Sequence, residues 1–189
     1  MSSLPFLCPR AVAEIDTDAL SQNFSTLSRA CGKTIAVVKA DAYGHGLSHA
    51  VPAFLRAGCD FFAVASTAEA LSVRKLAPFA HILLLGYAPM EEISALASAR
   101  VTLTAFSLSY AEALSRAAEK LGQTLAVHLK IDGGMCRLGF SCADTRDILR
   151  VFRLPRLAVC GIFTHFPCAD TDGDATGRAP RTKRRGGSP

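Results

Sequence analysis

Compact apolar runs alternate with amphipathic stretches along most of this chain. TIAVVK (34–39), FFAVA (61–65), ILLL (82–85), VTLTA (101–105), LAVHLKI (125–131) and LAVCGIFTH (157–165) are the predicted strands. Most are apolar throughout, the pattern of parallel strands covered on both faces. The opening AVAEID (11–16) also reads as a strand. Between the runs, Leu20, Phe24 and Leu27 recur at helical spacing, and Tyr110, Leu114, Ala118 and Leu121 repeat the stripe. Each such stripe predicts a helix seated on the sheet. Gly32, Gly58 and Gly122 fall just past helical stretches, where a C-cap is expected. Six strands with five intervening helical segments fit an open doubly wound sheet or an incomplete eight-stranded barrel, and periodicity alone does not choose between them.

The pattern stops at ADTDGDATGRAPRTKRRGGSP (169–189), which contains no Leu, Ile, Val or aromatic residue and cannot pack a core. The expected organisation is a partial barrel domain over 1–174 and a disordered basic tail over 175–189. A solvated tail, a nuclear-localisation or RNA-binding arm, and the product of a truncated or frame-shifted reading frame are the three readings of that tail. The abruptness of the change favours the last. Charge separates the two parts as well. The formal net charge is +5, and Arg178, Arg181, Lys183, Arg184 and Arg185 account for it, which leaves residues 1–177 neutral. A neutral body with three Tyr, no Trp and no basic stripe predicts neither a nucleic-acid nor a membrane partner.

Seven cysteines at irregular spacing, without a C-x-x-C pair, indicate neither a disulfide framework nor a zinc site, and no metal is expected. Several lie in apolar runs, where a free thiol behaves as a small hydrophobe, so a reducing cytoplasm is the expected location. The opening MSSLPFLCPR is too short in apolar residues for a signal peptide, and no run has the length to span a bilayer.

Candidate chemistry gathers at the carboxyl ends of the predicted strands, where α/β barrels place their reactive groups. Lys39 ends the first strand and is followed by ADAYGHG (40–46), which carries Tyr43 and His45. Lys130 and Asp132 close the fifth, followed by GGMCRLGF (133–140) with Arg137, and Thr164 and His165 close the sixth. A lone lysine here commonly snorkels to solvent, a lone histidine is commonly structural, and a lone arginine commonly pairs at the surface. Convergence of all three at one edge supports a site instead. A lysine amine held in a dry pocket can condense with a carbonyl.

At these residues the chain resembles a known family. AVVKADAYGHG (36–46) is similar to the pyridoxal 5'-phosphate (PLP) lysine signature of alanine racemases, and AEIDTDAL (13–20) to the start of the same family. KIDGGMCRLGF (130–140) and GIFTHFPCAD (161–170) resemble two further family segments, in the same order, so the likeness runs from about Ala11 to about Asp174. The resemblance implies a (β/α)8 TIM-type barrel, incomplete here, with about six strands present. It implies that Lys39 carries PLP and acts as the base on one face of the substrate α-carbon. It places Tyr43 on the cofactor phosphate, His165 against the ring, and Arg137 near the phenolic oxygen and the substrate carboxylate. The lysine corresponding to Lys130 is carbamylated in many relatives and braces that arginine. Three neighbours depart from the family pattern: Gly133 stands where Thr or Ser is usual, Cys136 where Gly is frequent, and Pro167 where Ala is more common.

The family's second catalytic base is a tyrosine of a C-terminal β-domain, reaching the site across a homodimer. That domain is absent from these residues, as are strands seven and eight. The implied function is interconversion of L- and D-alanine for peptidoglycan, with this chain an N-terminal fragment expected to be inactive alone. A racemase of serine or another small amino acid, and a non-catalytic single-barrel PLP-binding protein, are the alternatives.

Overall fold

The computed structural model describes residues 11–167. The basic tail predicted from 175 onward lies outside them. The chain opens with α1 (Thr17–Cys31), whose N-cap Asp16 accepts the Asp18 and Ala19 amide hydrogens at 3.0 and 2.9 Å. AVAEID is therefore not a strand. Residues 11–16 find no strand partner among the described residues, and the last of them is used to cap the helix.

Six strands follow: β1 (Ala36–Val37), β2 (Phe61–Val64), β3 (His81–Leu84), β4 (Leu103–Ala105), β5 (Leu125–Asp132) and β6 (Leu157–His165). They match the six apolar runs. The connections are α2 (Lys39–Tyr43) and α3 (Leu47–Arg56), then α4 (Thr67–Leu76), then α5 (Ile93–Ser98), then α6 (Leu108–Leu121), then α7 (Thr145–Val151). Ser66 and Glu69 form a capping box on α4, Ser107 caps α6, and Gly122 ends α6 in the left-handed conformation that glycine adopts at low cost.

All pairings are parallel and every strand lies beside its neighbour in sequence, in the orders β1-β2-β3 and β4-β5-β6. A parallel bridge between Leu83 and Thr102, with Leu84 N–H donating to Thr102 O at 2.9 Å, joins the two sets. A doubly wound sheet reverses its strand order at a switch point, whereas a barrel does not. The fold is an incomplete (β/α) barrel.

Alternation along the strands divides two layers. Val38, Val64, Leu84, Leu103 and Leu129 face outward into a continuous core with Val51, Val73, Leu96 and Leu114 of the helices. The opposite faces line the lumen. There Phe61 of β2 meets the His128 ring of β5 at 6.0 Å, although these strands are not adjacent. A bulge at the start of β6 sets Gly161 opposite His128, and a Cβ at Gly161 would lie 2.7 Å from the imidazole. Among the described residues β1 and β6 each pair on one side only, and Ile35, Val37 and Ile162 are exposed there.

Away from the carboxyl ends of the strands, Arg74 of α4 ties the loops that enter β3 and β4. Its guanidinium donates to Ala77 O, Pro78 O, Ala80 O, Ala99 O and Arg100 O at 2.7–3.2 Å. Replacing it strands carbonyls that no other side chain reaches. Arg74→Met is expected to cost about 2–3 kcal/mol of unfolding free energy, read from the midpoint of a urea titration.

Candidate active site

The β1–β2 ladder ends where Val38 N–H donates to Ala63 O at 2.8 Å. The chain then enters α2, which is not a right-handed helix. Ala40, Asp41, Ala42 and Tyr43 have φ of 52°, 52°, 54° and 55°. Left-handed backbone costs an L-residue roughly 1–2 kcal/mol each, so the turn depends on bonds from outside itself. Asp41 Oδ1 accepts Leu47 N–H at 2.7 Å, and Asp41 O accepts Gly46 N–H at 2.9 Å. Glu69 Oε1 accepts Ala40 N–H at 2.7 Å. Ala42 is buried under the turn.

The turn carries half-buried Lys39 and exposed Tyr43 at the carboxyl edge of the barrel, with Lys39 Nζ 5.9 Å from the centre of the Tyr43 ring. His45 does not join them. Its Nδ1 lies 2.8 Å from Ala42 O and closes the turn.

A second group of candidates stands at the ends of β5 and β6. Register pairs Lys130 with Phe163, Ile131 with Thr164, and Asp132 with His165. Lys130 Nζ rests 4.8 Å from the centre of the Phe163 ring. Burial pushes the Lys130 ammonium below its ordinary range, Arg137 pushes it further the same way, and Asp132 opposes both. Lys130 thus feels the guanidinium that follows it in the loop. The loop closes on itself: Phe140 N–H donates to Lys130 O at 2.8 Å, Asp132 N–H donates to Phe140 O at 2.9 Å, and Phe140 is buried.

The loop's unusual residues now have physical correlates. A Cβ at Gly133 would lie 2.7 Å from Thr164 Oγ1, whose hydroxyl donates to Ile131 O at 2.9 Å. The threonine hydroxyl occupies the space that a side chain at 133 would need. Cys136 has φ of 52°, in the left-handed region that glycine occupies freely.

Lys39 with Tyr43 and Lys130 with Asp132 and His165 thus stand on the two open flanks of the strand series. Among the described residues, none of these groups is in an ion pair; the two ion pairs there both involve Arg150. Sequence reasoning missed two side chains. Glu69 was legible only as half of the Ser66 capping box, because its other partner lies 29 residues away. His128 was hidden inside an apolar run, although alternation along β5 turns it into the lumen.

The fold and these groups define a class: a parallel α/β barrel protein that gathers amines, a guanidinium and an imidazole at its carboxyl edge. The chain belongs to the family described as alanine racemase, N-terminal domain, whose model matches residues 15–184. It is 38% identical over 162 residues to alanine racemase 2 of Caldanaerobacter subterraneus, a match covering 83% of this chain and 42% of that relative. It is 40% identical over 175 residues to alanine racemase 1 of Bacillus subtilis, covering 90% of this chain and 44% of that protein. Among solved structures, an alanine racemase of Clostridium difficile superposes with a TM-score of 0.74 at 35% identity, over 82% of this chain and 41% of that one. A histidine racemase of Leuconostoc mesenteroides superposes with a TM-score of 0.78 at 29% identity, over 85% of this chain and 44% of that one. The chain spans less than half the length of these curated relatives. No helix among the described residues is long and apolar enough to cross a membrane.

Cys136→Gly removes a left-handed L-residue and is expected to raise stability by about 1 kcal/mol, measured by urea unfolding. Burial lowers the His128 pKa below its ordinary value near 6.5. Between the lowered value and 6.5 the unfolded chain holds a proton that the folded chain does not, so unfolding free energy rises with pH across that window and levels above it. The slope reaches at most about 1.4 kcal/mol per pH unit for one proton. His128→Gln should flatten it, which unfolding titrations between pH 5 and pH 7.5 will show.

Proposed function

We propose that this chain is the cofactor-binding half of a PLP-dependent alanine racemase that supplies D-alanine for peptidoglycan in the cytoplasm. The observation that carries the reading is the delivery of Lys39 to the barrel mouth by a costly left-handed turn. Strain of this kind persists where the surroundings over-determine it, and it concentrates at functional sites.

The donor set suits PLP, an anionic aromatic aldehyde. Lys39 offers a half-buried amine without an ion-pair partner among the described residues, the Tyr43 ring lies beside it, and Arg137 and His165 bring a guanidinium and an imidazole to the same edge. On this reading Lys39 holds the cofactor, Tyr43 contacts its phosphate, His165 lies against its ring, and Arg137 faces its phenolic oxygen and the substrate carboxylate. Bound PLP supplies an electron sink for the pair left behind when the substrate loses its α-proton. Once the substrate amine has displaced it from the cofactor, Lys39 Nζ would remove the α-proton of one enantiomer, or deliver a proton to form it, always on its own face of the α-carbon. Arg137 fixes the carboxylate through paired N–H donors. Lys130, whose ammonium is disfavoured beside Arg137, is the site proposed for carbamylation, which would convert a repelling neighbour of Arg137 into an anionic partner.

The names of the curated relatives support alanine as substrate. The superposition on a histidine racemase supports a second reading, in which another small-molecule amino acid is racemised. The complete enzyme is proposed to be a homodimer in which a residue beyond this chain serves the opposite face of the α-carbon.

Incubating the 189-residue chain with PLP, reducing with borohydride and mapping the pyridoxyl group by peptide mass spectrometry tests the reading. The expected adduct sits on Lys39 and disappears in Lys39→Ala. Labelling scattered over surface lysines would overturn it.

A further inference from the structure

We infer that Glu69 is a positioning residue for Lys39, holding the left-handed turn that aims the amine into the barrel mouth. This rests on the reading of Lys39 as the cofactor lysine. The strand ladder shows why such a residue is needed. Val38 N–H donates across to Ala63 O, and the next donor on that side of β1, two residues on, is Ala40 N–H. Because α2 turns left-handed directly after Lys39, that hydrogen leaves the ladder. Glu69 Oε1 accepts it at 2.7 Å.

The other carboxylate oxygen holds the neighbouring strand end. Oε2 accepts Ala65 N–H at 2.8 Å and Ser66 N–H at 3.2 Å. One carboxylate therefore bridges the ends of β1 and β2 at the point where both leave the sheet. Its own backbone is carried by the first turn of α4, and the cap there is a separate bond, from Glu69 N–H to Ser66 Oγ at 3.3 Å. Ordinary capping needs the contact to Ser66 alone. The bond to Ala40 adds nothing to α4, and it falls on the peptide that joins Lys39 to the left-handed run. A charged acceptor there offsets part of the conformational cost of that run, since bonds to ionised groups are about twice as strong as neutral ones.

Three variants separate positioning from capping. Glu69→Gln replaces one acceptor oxygen with a donor. Glu69→Asp keeps the charge and a helix-start acid but is one methylene shorter, so it does not reach Ala40. Ser66→Ala removes the cap and leaves the Ala40 bond. In the 189-residue chain, amide exchange at Ala40 and borohydride-trapped pyridoxyl label on Lys39 are both read. Glu69→Gln and Glu69→Asp are expected to speed Ala40 exchange about tenfold and to raise the PLP concentration for half-labelling of Lys39 about tenfold, in line with loss of one charge-assisted hydrogen bond. Ser66→Ala should lower the Tm and change neither. Ala40→Gly, which removes the penalty of a Cβ in the left-handed region, should restore Lys39 labelling in the Glu69→Gln background.

Unchanged labelling in both Glu69 variants, or an equal loss of labelling in Ser66→Ala, overturns the assignment. Should Glu69→Gln lose its cooperative melt, Glu69→Asp decides alone. If the unsubstituted chain does not label at Lys39, the cofactor reading fails, and the Ala40 exchange rate still decides whether Glu69 holds the turn.

Discussion

The parallel ladder constrains everything else in this chain. When all strands run the same way and pair in sequence order, their carboxyl ends share one edge, and alternation along each strand sends every second side chain into the lumen. Residues far apart in sequence are then brought to one edge without any contact of their own. Lys39, Lys130 and His165 reach the same edge because β1, β5 and β6 end there. The outward faces do the complementary work: Val38, Val64, Leu84 and Leu129 are buried against the helices, which anchors each strand while its carboxyl end is left free for chemistry.

The strands were legible in the sequence because parallel strands buried on both faces appear as short apolar runs between helical stripes. Strand order was not legible, since periodicity reports which face is apolar and not which strand is next to it. The Leu83–Thr102 bridge decided that question. AVAEID misled for a related reason: its alternation suits a strand, but a strand needs a partner, and Asp16 is more useful as the cap of α1. The candidate residues were legible as strand-end groups through runs such as AVVKADAYGHG and KIDGGMCRLGF. The left-handed turn between Ala40 and Tyr43 was not, because alanine has no preference for that region and the acceptor for Ala40 N–H comes from α4.

Charge is distributed to match this division of labour. Lys130 lies against an aromatic ring with its ammonium disfavoured by burial and by Arg137, so a cation there is held at a cost. Asp132 returns part of that cost, and its Oδ1 also accepts Gly134 N–H at 3.0 Å, which ties the start of the Arg137 loop to the end of β5. Below them His128 sits between Phe61 and Phe163 and is disfavoured as a cation. Lys130 and His128, both turned into the lumen, are therefore each disfavoured in the charged form.

The same backbone half superposes on racemases named for alanine and for histidine, with TM-scores of 0.74 and 0.78. These substrates share the α-amino and α-carboxylate groups and differ in side-chain volume and polarity. A strand series that fits both is therefore built around the shared groups. On the proposed reading, the Lys39 amine just past β1 and the Arg137 guanidinium after β5 suit the groups common to all amino acids rather than the side chain. Discrimination by a pocket comes from walls whose size or unpaired polar groups penalise the wrong substrate. A backbone half shared by racemases named for two substrates does not discriminate between them by itself, so on the proposed reading the choice of amino acid falls to side chains rather than to the strand series.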